Sequence, residues 1–432
     1  MLTPAHGTSP SRTPPHAAVT SATMRARSGF FDRSPTMSAS RKSTPITRCP
    51  PDSSRALVAA PIPDADPVTQ IVPIHRPPNT VKCVRCEHQP TCLGIVGRAD
   101  HDYRGDMTVR SIVCHEFAPL DKLVLEEKPD PAMFPGCVRI DVTACGVNFV
   151  DALFVQGKYQ IKPPVPFVPG MEVVGRVVEL APDVDDIAIG TRVFANVGLG
   201  GFSSQAIVAA KRVMLLPDTL TDGQAATFMQ SYLTAWFALV ERARVEKGRK
   251  LLVLGAGGGV GLAAVDVGHA LGLEVIAVAS TDEKRRFASE RGATTTLDSN
   301  ASADEIKEAA KAAAGGAVDY LYDPVGGELG ETCLRALGDD GQYLVIGFVA
   351  GIPRLPANQV LLRNRRVTGV DWGGWAGKNP GLNDRMLAEV MALIAQGRLR
   401  PVEPQTYPLE RAAEALRDLE NRRVAGKVAL IP

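Results

Sequence analysis

Long apolar runs are absent from the sequence, which nowhere has as many as about eighteen consecutive apolar residues. A membrane-spanning helix is therefore not expected. An excess of charge is also lacking, because 48 basic residues face 47 acidic ones and the net charge is +1, so nothing indicates a nucleic-acid partner. Cysteine is sparse, with eight in 432 residues, which is not the pattern of a secreted disulfide scaffold. The 45% hydrophobic content suits two or three domains with ordinary cores.

The N-terminal part of the chain lacks apolar periodicity. From Met1 to Asp106, proline, serine, threonine, alanine and arginine dominate, and prolines recur too often for helices or central strands. We predict that residues 1–106 are a disordered extension. Two alternatives stay open. One is an organellar transit peptide, which is also rich in arginine and serine; the other is an overextended reading frame, with the working protein beginning at Met107.

A small cluster of metal-ligand residue types lies inside this extension. Cys83, Cys86, His88 and Cys92 supply three thiols and an imidazole, the donors of a zinc knuckle. Their spacing is cramped and no apolar core surrounds them. A run of free thiols is therefore the alternative to a metal site.

A glycine-rich turn lies between two strand-like segments. Leu251 to Leu254 is apolar, a helical pattern begins near Val260, and Glu274 to Ala279 is a second β-branched stretch at βαβ distance. The turn has the spacing of a dinucleotide-binding fingerprint, with alanine replacing the first glycine. Glycines let the backbone approach a pyrophosphate, which the helix N-terminus attracts. The alternative is a turn without a ligand. The predicted contacts in this turn are Ala256, Gly258, Gly259, Val260 and Gly261.

The end of the second strand predicts which nucleotide binds. NAD-binding folds place a carboxylate about twenty residues beyond the glycines, and here that position is Ser280, followed by Lys284, Arg285 and Arg286. A neutral side chain with cations behind it favours the 2′-phosphate of NADP(H). Lys284 is the predicted phosphate ligand. Alternatively, the three cations are only the solvated face of the next helix, which must hold for at least one of them.

The pattern of short strands and alternating helices predicts an α/β fold with two folded domains. A β-rich domain precedes the nucleotide fold, with its strands predicted at Thr108 to Phe117, Leu123 to Lys128, Cys137 to Cys145, Val173 to Leu180, and Arg192 to Asn196. A helix over Asp222 to Ala243, capped by Thr221 or Asp222, then leads into a doubly wound parallel sheet. Later elements are predicted as a helix over Glu328 to Leu337, strands over Gln342 to Phe348 and Arg366 to Val370, and a terminal strand over Lys427 to Ile431 that returns to the first domain.

From Met107 to Pro432 the sequence resembles the medium-chain dehydrogenase/reductase superfamily, in its zinc-independent quinone oxidoreductase branch, to which zeta-crystallin belongs. The stretches that carry the resemblance are Gly146 to Gly175, Ala256 to Gly261, the Asp-Pro-Val-Gly-Gly segment Asp323 to Gly327, and Gly347 to Asn358. The resemblance implies a GroES-like catalytic domain over 107–228, completed by 371–432, and a Rossmann NADP(H)-binding domain over 229–370.

The resemblance also assigns roles to individual residues. Asn148, Asp151 and Tyr159 match active-site positions; for Asp151 a helix-capping role is an equal alternative. Further cofactor contacts are implied at Thr234, Ser299, Gly347, Phe348 and Arg422. Two positions depart from relatives that carry tyrosines there: Leu153, which bears on the substrate, and Ser299, which bears on the preference for NADPH over NADH.

The resemblance implies a catalytic site without zinc. Asn148 and Met171 stand where zinc-dependent relatives carry ligands, and neither is a usual zinc donor. Cys145 is expected to be a small buried residue. Without a Lewis acid the substrate must already be electrophilic, which favours quinones and α,β-unsaturated carbonyls reduced by NADPH.

Two other functions stay open. One is an enoyl-thioester reductase, with Arg363, Arg365 and Arg366 as a basic path for the CoA phosphates. The other is a low-turnover NADPH-binding scaffold. We expect a cytoplasmic homodimer that takes a small-molecule substrate.

Overall fold

The computed structural model describes residues 108–432, so the expectations for residues 1–106, including Cys83, Cys86, His88 and Cys92, lie outside the described residues. Within that part of the chain the strands are β1 (Thr108–Val113), β2 (Val124–Pro129), β3 (Cys137–Val147), β4 (Glu172–Leu180), β5 (Arg192–Asn196), β6 (Gln205–Ala209), β7 (Val213–Leu215), β8 (Lys250–Val253), β9 (Glu274–Ala279), β10 (Ala293–Asp298), β11 (Val318–Asp323), β12 (Leu337–Val345), β13 (Arg366–Gly369), β14 (Gln405–Pro408) and β15 (Val428–Ile431).

The helices alternate with strands mainly in the second half of the described chain. They are α1 (Phe149–Val155), α2 (Asp222–Thr227), α3 (Met229–Trp236), α4 (Gly259–Ala270), α5 (Asp282–Glu290), α6 (Ala303–Ala313), α7 (Gly327–Cys333), α8 (Ala357–Leu361), α9 (Trp372–Lys378), α10 (Pro380–Ala395) and α11 (Ala412–Glu420). No helix of residues 108–432 is long and apolar enough to cross a membrane.

The first domain is built on a sheet of seven strands in the order β14-β15-β3-β4-β5-β7, with β6 paired to the other part of β3. The long strand β3 is buried at Val138 to Ile140 and again from Ala144 to Val147, with Asp141 exposed between them. The C-terminal strand β15 pairs antiparallel with β3, Leu430 opposite Cys145. The predicted return of the last strand to the first domain is therefore confirmed.

The second domain is a six-stranded parallel sheet in the order β10-β9-β8-β11-β12-β13. Its central strand β8 is fully buried at Leu251, Leu252 and Val253, as expected for a parallel strand covered by helices on both faces. The order reverses between β8 and β11, and such a switch point opens a crevice at the carboxyl ends of the strands. The doubly wound α/β fold predicted from the sequence is the observed one.

Several element boundaries differ from the predictions. The long helix expected over Asp222 to Ala243 is divided into α2, α3 and a π-helical turn at Phe237–Arg242, although Thr221 does cap its start by accepting from the Gln224 N–H. Helix α7 ends at Cys333, and β12 ends at Val345. Gly347 and Phe348 therefore lie beyond the strand rather than in it. Strands β6 and β7 and helix α9 were not predicted.

A buried carboxylate ties the nucleotide domain to the C-terminal segment. Asp266 on α4 is 1% exposed, and its Oδ2 accepts from the Tyr232 hydroxyl at 2.7 Å and from the Arg400 N–H at 2.6 Å. Burial raises the pKa of Asp266, while these hydrogen bonds lower it. A buried carboxylate is stable only when such donors replace water.

Tyr232→Phe should therefore lower the free energy of unfolding by about 1–3 kcal/mol, because it leaves the Asp266 carboxylate short of a donor. Tyr322→Phe is the matched control. The Tyr322 hydroxyl is also buried but has no hydrogen-bond partner among the described residues, so its removal should change stability little or increase it. Denaturant unfolding of both variants measures the difference, and equal losses would contradict the assignment.

Candidate cofactor-binding and active site

The glycine-rich turn between β8 and α4 forms a cradle that side chains would fill. Gly255 has a φ of +60°, which favours glycine, and a Cβ on Gly261 would collide with the Gly255 carbonyl oxygen. Helix α4 begins at Gly259, and Gly258 before it is exposed. The first N–H groups of a twelve-residue helix therefore face an open surface lined by backbone, which suits a pyrophosphate.

Ser280 lies at the carboxyl end of β9, beside the residues that follow β10. Its carbonyl accepts from Asn300 Nδ2 at 2.7 Å, and the Ser299 N–H donates to the Ala279 carbonyl at 3.1 Å. The structure thus brings Ser280 and Ser299 together at one edge of the sheet. Asn300 was not predicted from the sequence. The only feature of the sequence that pointed to it is its position just after a short strand.

Lys284 points toward the glycine-rich turn, but its ammonium is already engaged. It is 7% exposed, and its Nζ donates to the Arg422 carbonyl at 2.6 Å. A Cβ on Gly257 would collide with the methylenes of Lys284. Burial, and secondarily the charge of Arg422, lowers the pKa of Lys284. Lys284 is therefore held in place, with two N–H groups left to donate, and its role as a phosphate ligand stays a prediction.

The neighbouring cations turn away from the glycine-rich turn. Arg285 forms ion pairs with Asp282 and with Asp298, the latter at 3.1 Å, and Arg286 lies 3.6 Å from Glu290 on the exposed side of α5. The solvated-face interpretation therefore fits Arg286, which is exposed. It fits neither Lys284 nor Arg285, whose guanidinium donates to the Ala279 carbonyl at 3.0 Å. Arg422 itself is exposed, and its Nη2 lies 3.3 Å from the Val349 carbonyl.

Asn148 and Asp151 lie at the start of α1. The Asn148 N–H donates to Asp151 Oδ2 at 2.7 Å, so this carboxylate caps the helix. Asp151 is completely buried, and burial raises its pKa to about 7 although the Asn148 N–H lowers it. Asp151 is therefore shielded from direct contact with a bound molecule.

The Asn148 side chain is held by two charged groups, both missed by sequence reasoning. Its Nδ2 donates to Glu172 Oε2 at 2.8 Å, and its Oδ1 accepts from Lys427 Nζ at 2.6 Å. Glu172 Oε1 accepts from the Gln230 N–H at 2.9 Å. Burial raises the pKa of Glu172 and lowers that of Lys427. The only feature of the sequence that pointed to Lys427 is its position just before an apolar terminal strand.

Tyr159 and Thr234 are both half-buried and lie on elements adjoining this cluster. The Tyr159 ring packs edge-on against Phe154, with 4.9 Å between centroids. Burial, with Asp371 second, raises its pKa, so its hydroxyl stays protonated at neutral pH. Within residues 108–432 no hydrogen bond joins this hydroxyl to Asn148.

Gly347 and Phe348 follow β12 at the edge of the sheet where the glycine-rich turn lies. The Asp-Pro-Val-Gly-Gly turn supports them, because Asp323 Oδ1 accepts from the N–H groups of Val325 and Gly326, each at 2.8 Å. Gly347 N–H lies 3.3 Å from the Asp323 carbonyl, and Phe348 is 45% exposed. An exposed aromatic ring beside the crevice is free to contact a ligand.

The donor set around Asn148 does not resemble a zinc site. Asn148 Oδ1 already faces an ammonium, Met171 is a thioether, and the described residues contain no cluster of three histidine, cysteine or acidic side chains suited to a metal ion. Cys145 is fully buried, and burial raises the pKa of its thiol well above the usual value. A thiol in that state is a weak ligand.

Two family models match the chain. The alcohol dehydrogenase GroES-like domain matches residues 135–218, and the zinc-binding dehydrogenase model matches residues 259–395. The first includes Asn148 and strands β3 to β7, and the second covers five of the six strands of the doubly wound sheet.

Similar proteins include quinone oxidoreductases. Quinone oxidoreductase-like protein 2 of Bos taurus is 36% identical over 74% of this chain and 92% of its own length. Among solved structures, the quinone oxidoreductase of Thermus thermophilus, determined alone and with NADPH, is 32% identical with a TM-score of 0.66, over 75% of this chain and all of that one. The Escherichia coli quinone oxidoreductase complexed with NADPH is 27% identical with a TM-score of 0.67, with the same coverage.

The raised pKa of Asp151 predicts a specific pH dependence of stability. The pKa of an aspartate in an unfolded chain is about 3.9, whereas burial raises the pKa of the folded Asp151 to about 7. The folded chain binds the extra proton between these values, so this contribution to stability is complete below about pH 4 and is lost as the pH rises through about 7. Between pH 5 and 8 the melting temperature of Asp151→Asn should fall less than that of the wild type. The wild type and the variant both contain Glu172. Melting-temperature curves that run parallel with pH would therefore exclude Asp151 as the source of the pH dependence.

Proposed function

Because the chain belongs to the medium-chain dehydrogenase/reductase superfamily, in its quinone oxidoreductase branch, we propose that it is an NADPH-dependent reductase of quinones or α,β-unsaturated carbonyls. The observation that carries the proposal is that Lys427 joins the glycine-rich turn, where it packs on Gly259, to the hydrogen-bonded Asn148 amide. The solved relatives from Thermus thermophilus and Escherichia coli bind NADPH.

The cradle fits the cofactor. The N-terminus of α4 would hold the pyrophosphate, and the Lys284 ammonium and Arg422 guanidinium would hold the 2′-phosphate near Ser280 and Ser299. Thr234 and the Gly347 to Phe348 segment would border the nicotinamide. When bound, NADPH supplies the hydride.

We propose that the reaction proceeds without zinc. Asn148 and Met171 replace the ligands of zinc-dependent relatives. The Lys427 ammonium already donates a hydrogen bond to the Asn148 Oδ1. An electrophilic substrate needs only hydrogen-bond donors for the charge that develops on its oxygen. The second N–H of Asn148 Nδ2 and the Tyr159 hydroxyl, which burial keeps protonated, are the donors we assign to it.

The enoyl-thioester alternative loses one of the three arginines of its basic path. Arg365 is 7% exposed and donates to the carbonyls of Leu337 and Gln359. Arg363 forms an exposed ion pair with Asp339 at 3.2 Å. Arg363 and Arg366 would be left for CoA phosphates. A measurement of turnover distinguishes the low-turnover scaffold from both enzymes.

We further propose a cytoplasmic homodimer joined through β13. This strand is at the edge of the parallel sheet, and an unpaired edge is a template for a second chain. Apolar side chains are exposed near it, with Leu361 at 77% and Leu362 at 56%. The four described cysteines are all free thiols, which suits a reducing compartment. Light scattering of the purified protein measures its mass directly.

The central experiment follows NADPH oxidation by the full chain with and without a simple ortho-quinone. We expect quinone-dependent turnover that persists in a strong chelator, because the donors around Asn148 are not zinc ligands. Elemental analysis of the same protein should find no stoichiometric zinc. NADPH binding without turnover would favour the scaffold, and activity that is lost with about one zinc per chain would contradict the zinc-free mechanism.

Cofactor preference gives a second prediction. Charge-assisted contacts contribute about 1.5–3 kcal/mol, so NADPH should be preferred over NADH by roughly one to two orders of magnitude. Lys284→Ala should raise the KM for NADPH and leave that for NADH nearly unchanged, because only NADPH carries the 2′-phosphate. Ser280→Asp should reverse the preference by adding a ribose-binding carboxylate.

Arg286→Ala is the matched control for Lys284, because this cation lies on the same helix but faces Glu290 and solvent. It should change neither KM. If Lys284→Ala weakened NADPH and NADH equally, the phosphate assignment would be wrong, and Ser299 and Arg422 would be tested next.

A further inference from the structure

A buried lysine contacts both halves of the candidate site. Lys427 is 7% exposed, and its ammonium donates to Asn148 Oδ1 at 2.6 Å in the first domain. Its methylene chain lies against Gly259 of the second domain, where a Cβ would collide with Lys427 Cδ. The preceding Gly426 N–H donates to the Gly257 carbonyl at 2.8 Å. Lys427 is therefore held between the glycine-rich turn and Asn148.

The lysine determines which way the Asn148 amide points. A lysine ammonium only donates hydrogen bonds, so the amide atom facing it must be oxygen. The amide nitrogen is consequently directed toward Glu172, which accepts one of its two N–H groups at 2.8 Å. Glu172 is itself held by the Gln230 N–H on α3. The other N–H of the Asn148 amide remains available to donate, and its direction is fixed.

The electrostatic setting supports this role. Glu172 and Asp151 both attract the Lys427 ammonium and oppose the lowering of its pKa by burial. No other lysine or arginine among the described residues donates to Asn148, Asp151 or Glu172 through a hydrogen bond. Removing the Lys427 charge would leave a buried carboxylate without its nearby cation and let the amide rotate.

We propose that Lys427 is a positioning residue for the reduction: it orients the Asn148 amide so that the free N–H serves the substrate oxygen, and its packing on Gly259 sets that amide relative to the cofactor cradle. The inference rests on the proposed function. Lys427 acts through Asn148 and through the backbone at Gly259, and it transfers no proton or hydride itself.

The test uses Lys427→Met, which keeps the length of the side chain and removes the charge, together with Asn148→Ala and the double variant. Lys427→Met should lower kcat roughly 10- to 100-fold, as expected for one charge-assisted hydrogen bond, and change the KM for the ortho-quinone and the Kd for NADPH by less than about threefold. Because both residues serve one amide, the double variant should be no slower than the slower single variant. Lys427→Arg, which keeps a donor, should recover most of the lost kcat.

Arg365→Met is the stability control. Arg365 is equally buried but donates only to backbone carbonyls far along the chain from Asn148, so its loss should lower the melting temperature and leave kcat unchanged. Additive effects of Lys427→Met and Asn148→Ala on kcat, or a Lys427→Met chain that keeps wild-type kcat, would overturn the proposal.

A readout without cofactor separates this inference from the proposed function. Unfolding of the four chains of the Lys427 and Asn148 cycle, without NADPH, should show that the two losses of stability are not additive. Additive losses would reject the contact and the proposal with it. A wild-type chain that reduced no quinone would contradict the proposed function, while the unfolding cycle would still decide whether Lys427 holds Asn148.

Discussion

The contact of the C-terminal segment with the glycine-rich turn is the interaction on which the candidate site depends. Gly426 donates to Gly257, and the next residue, Lys427, donates to Asn148. Strand β15 then pairs with β3 and so anchors the same segment in the first domain. The segment adds to two other links between the domains, namely the hydrogen bond from the Gln230 N–H to Glu172 and an apolar core that includes residues of both sheets.

Burial makes the polar groups of this region interdependent. Asn148, Asp151, Glu172 and Lys427 are all less than a tenth exposed, so each must find its partner within the protein rather than in water. The result is a connected set in which a backbone N–H serves Asp151, an amide serves Glu172 and an ammonium serves the amide. Such a set fixes the orientation of the Asn148 amide, whereas an isolated asparagine would rotate between two orientations.

The same reasoning separates the cations of the nucleotide site. Lys284, Arg285 and Arg286 are consecutive on α5, yet Lys284 alone among them packs over the glycine-rich turn, while the arginines form ion pairs with Asp298 and Glu290. A helix turns by about 100° per residue, so neighbours in sequence serve different surfaces. The Arg422 carbonyl fixes the position of the Lys284 ammonium, which would reduce the entropy lost in the proposed phosphate contact.

Local patterns in the sequence determined much of this protein. The apolar run before the glycines, the helical pattern after them and the alternation of strands and helices predicted the doubly wound sheet, because side-chain periodicity and glycine conformation act over short distances. Tertiary structure alone decided the rest. Lys427 lies 279 residues from Asn148 in the sequence, and only the return of β15 to β3 places it there. Glu172 reaches Asn148 through the pairing of β4 with β3. The burial that raises the pKa of Asp151 also arises from this packing, and no pattern within one segment records it.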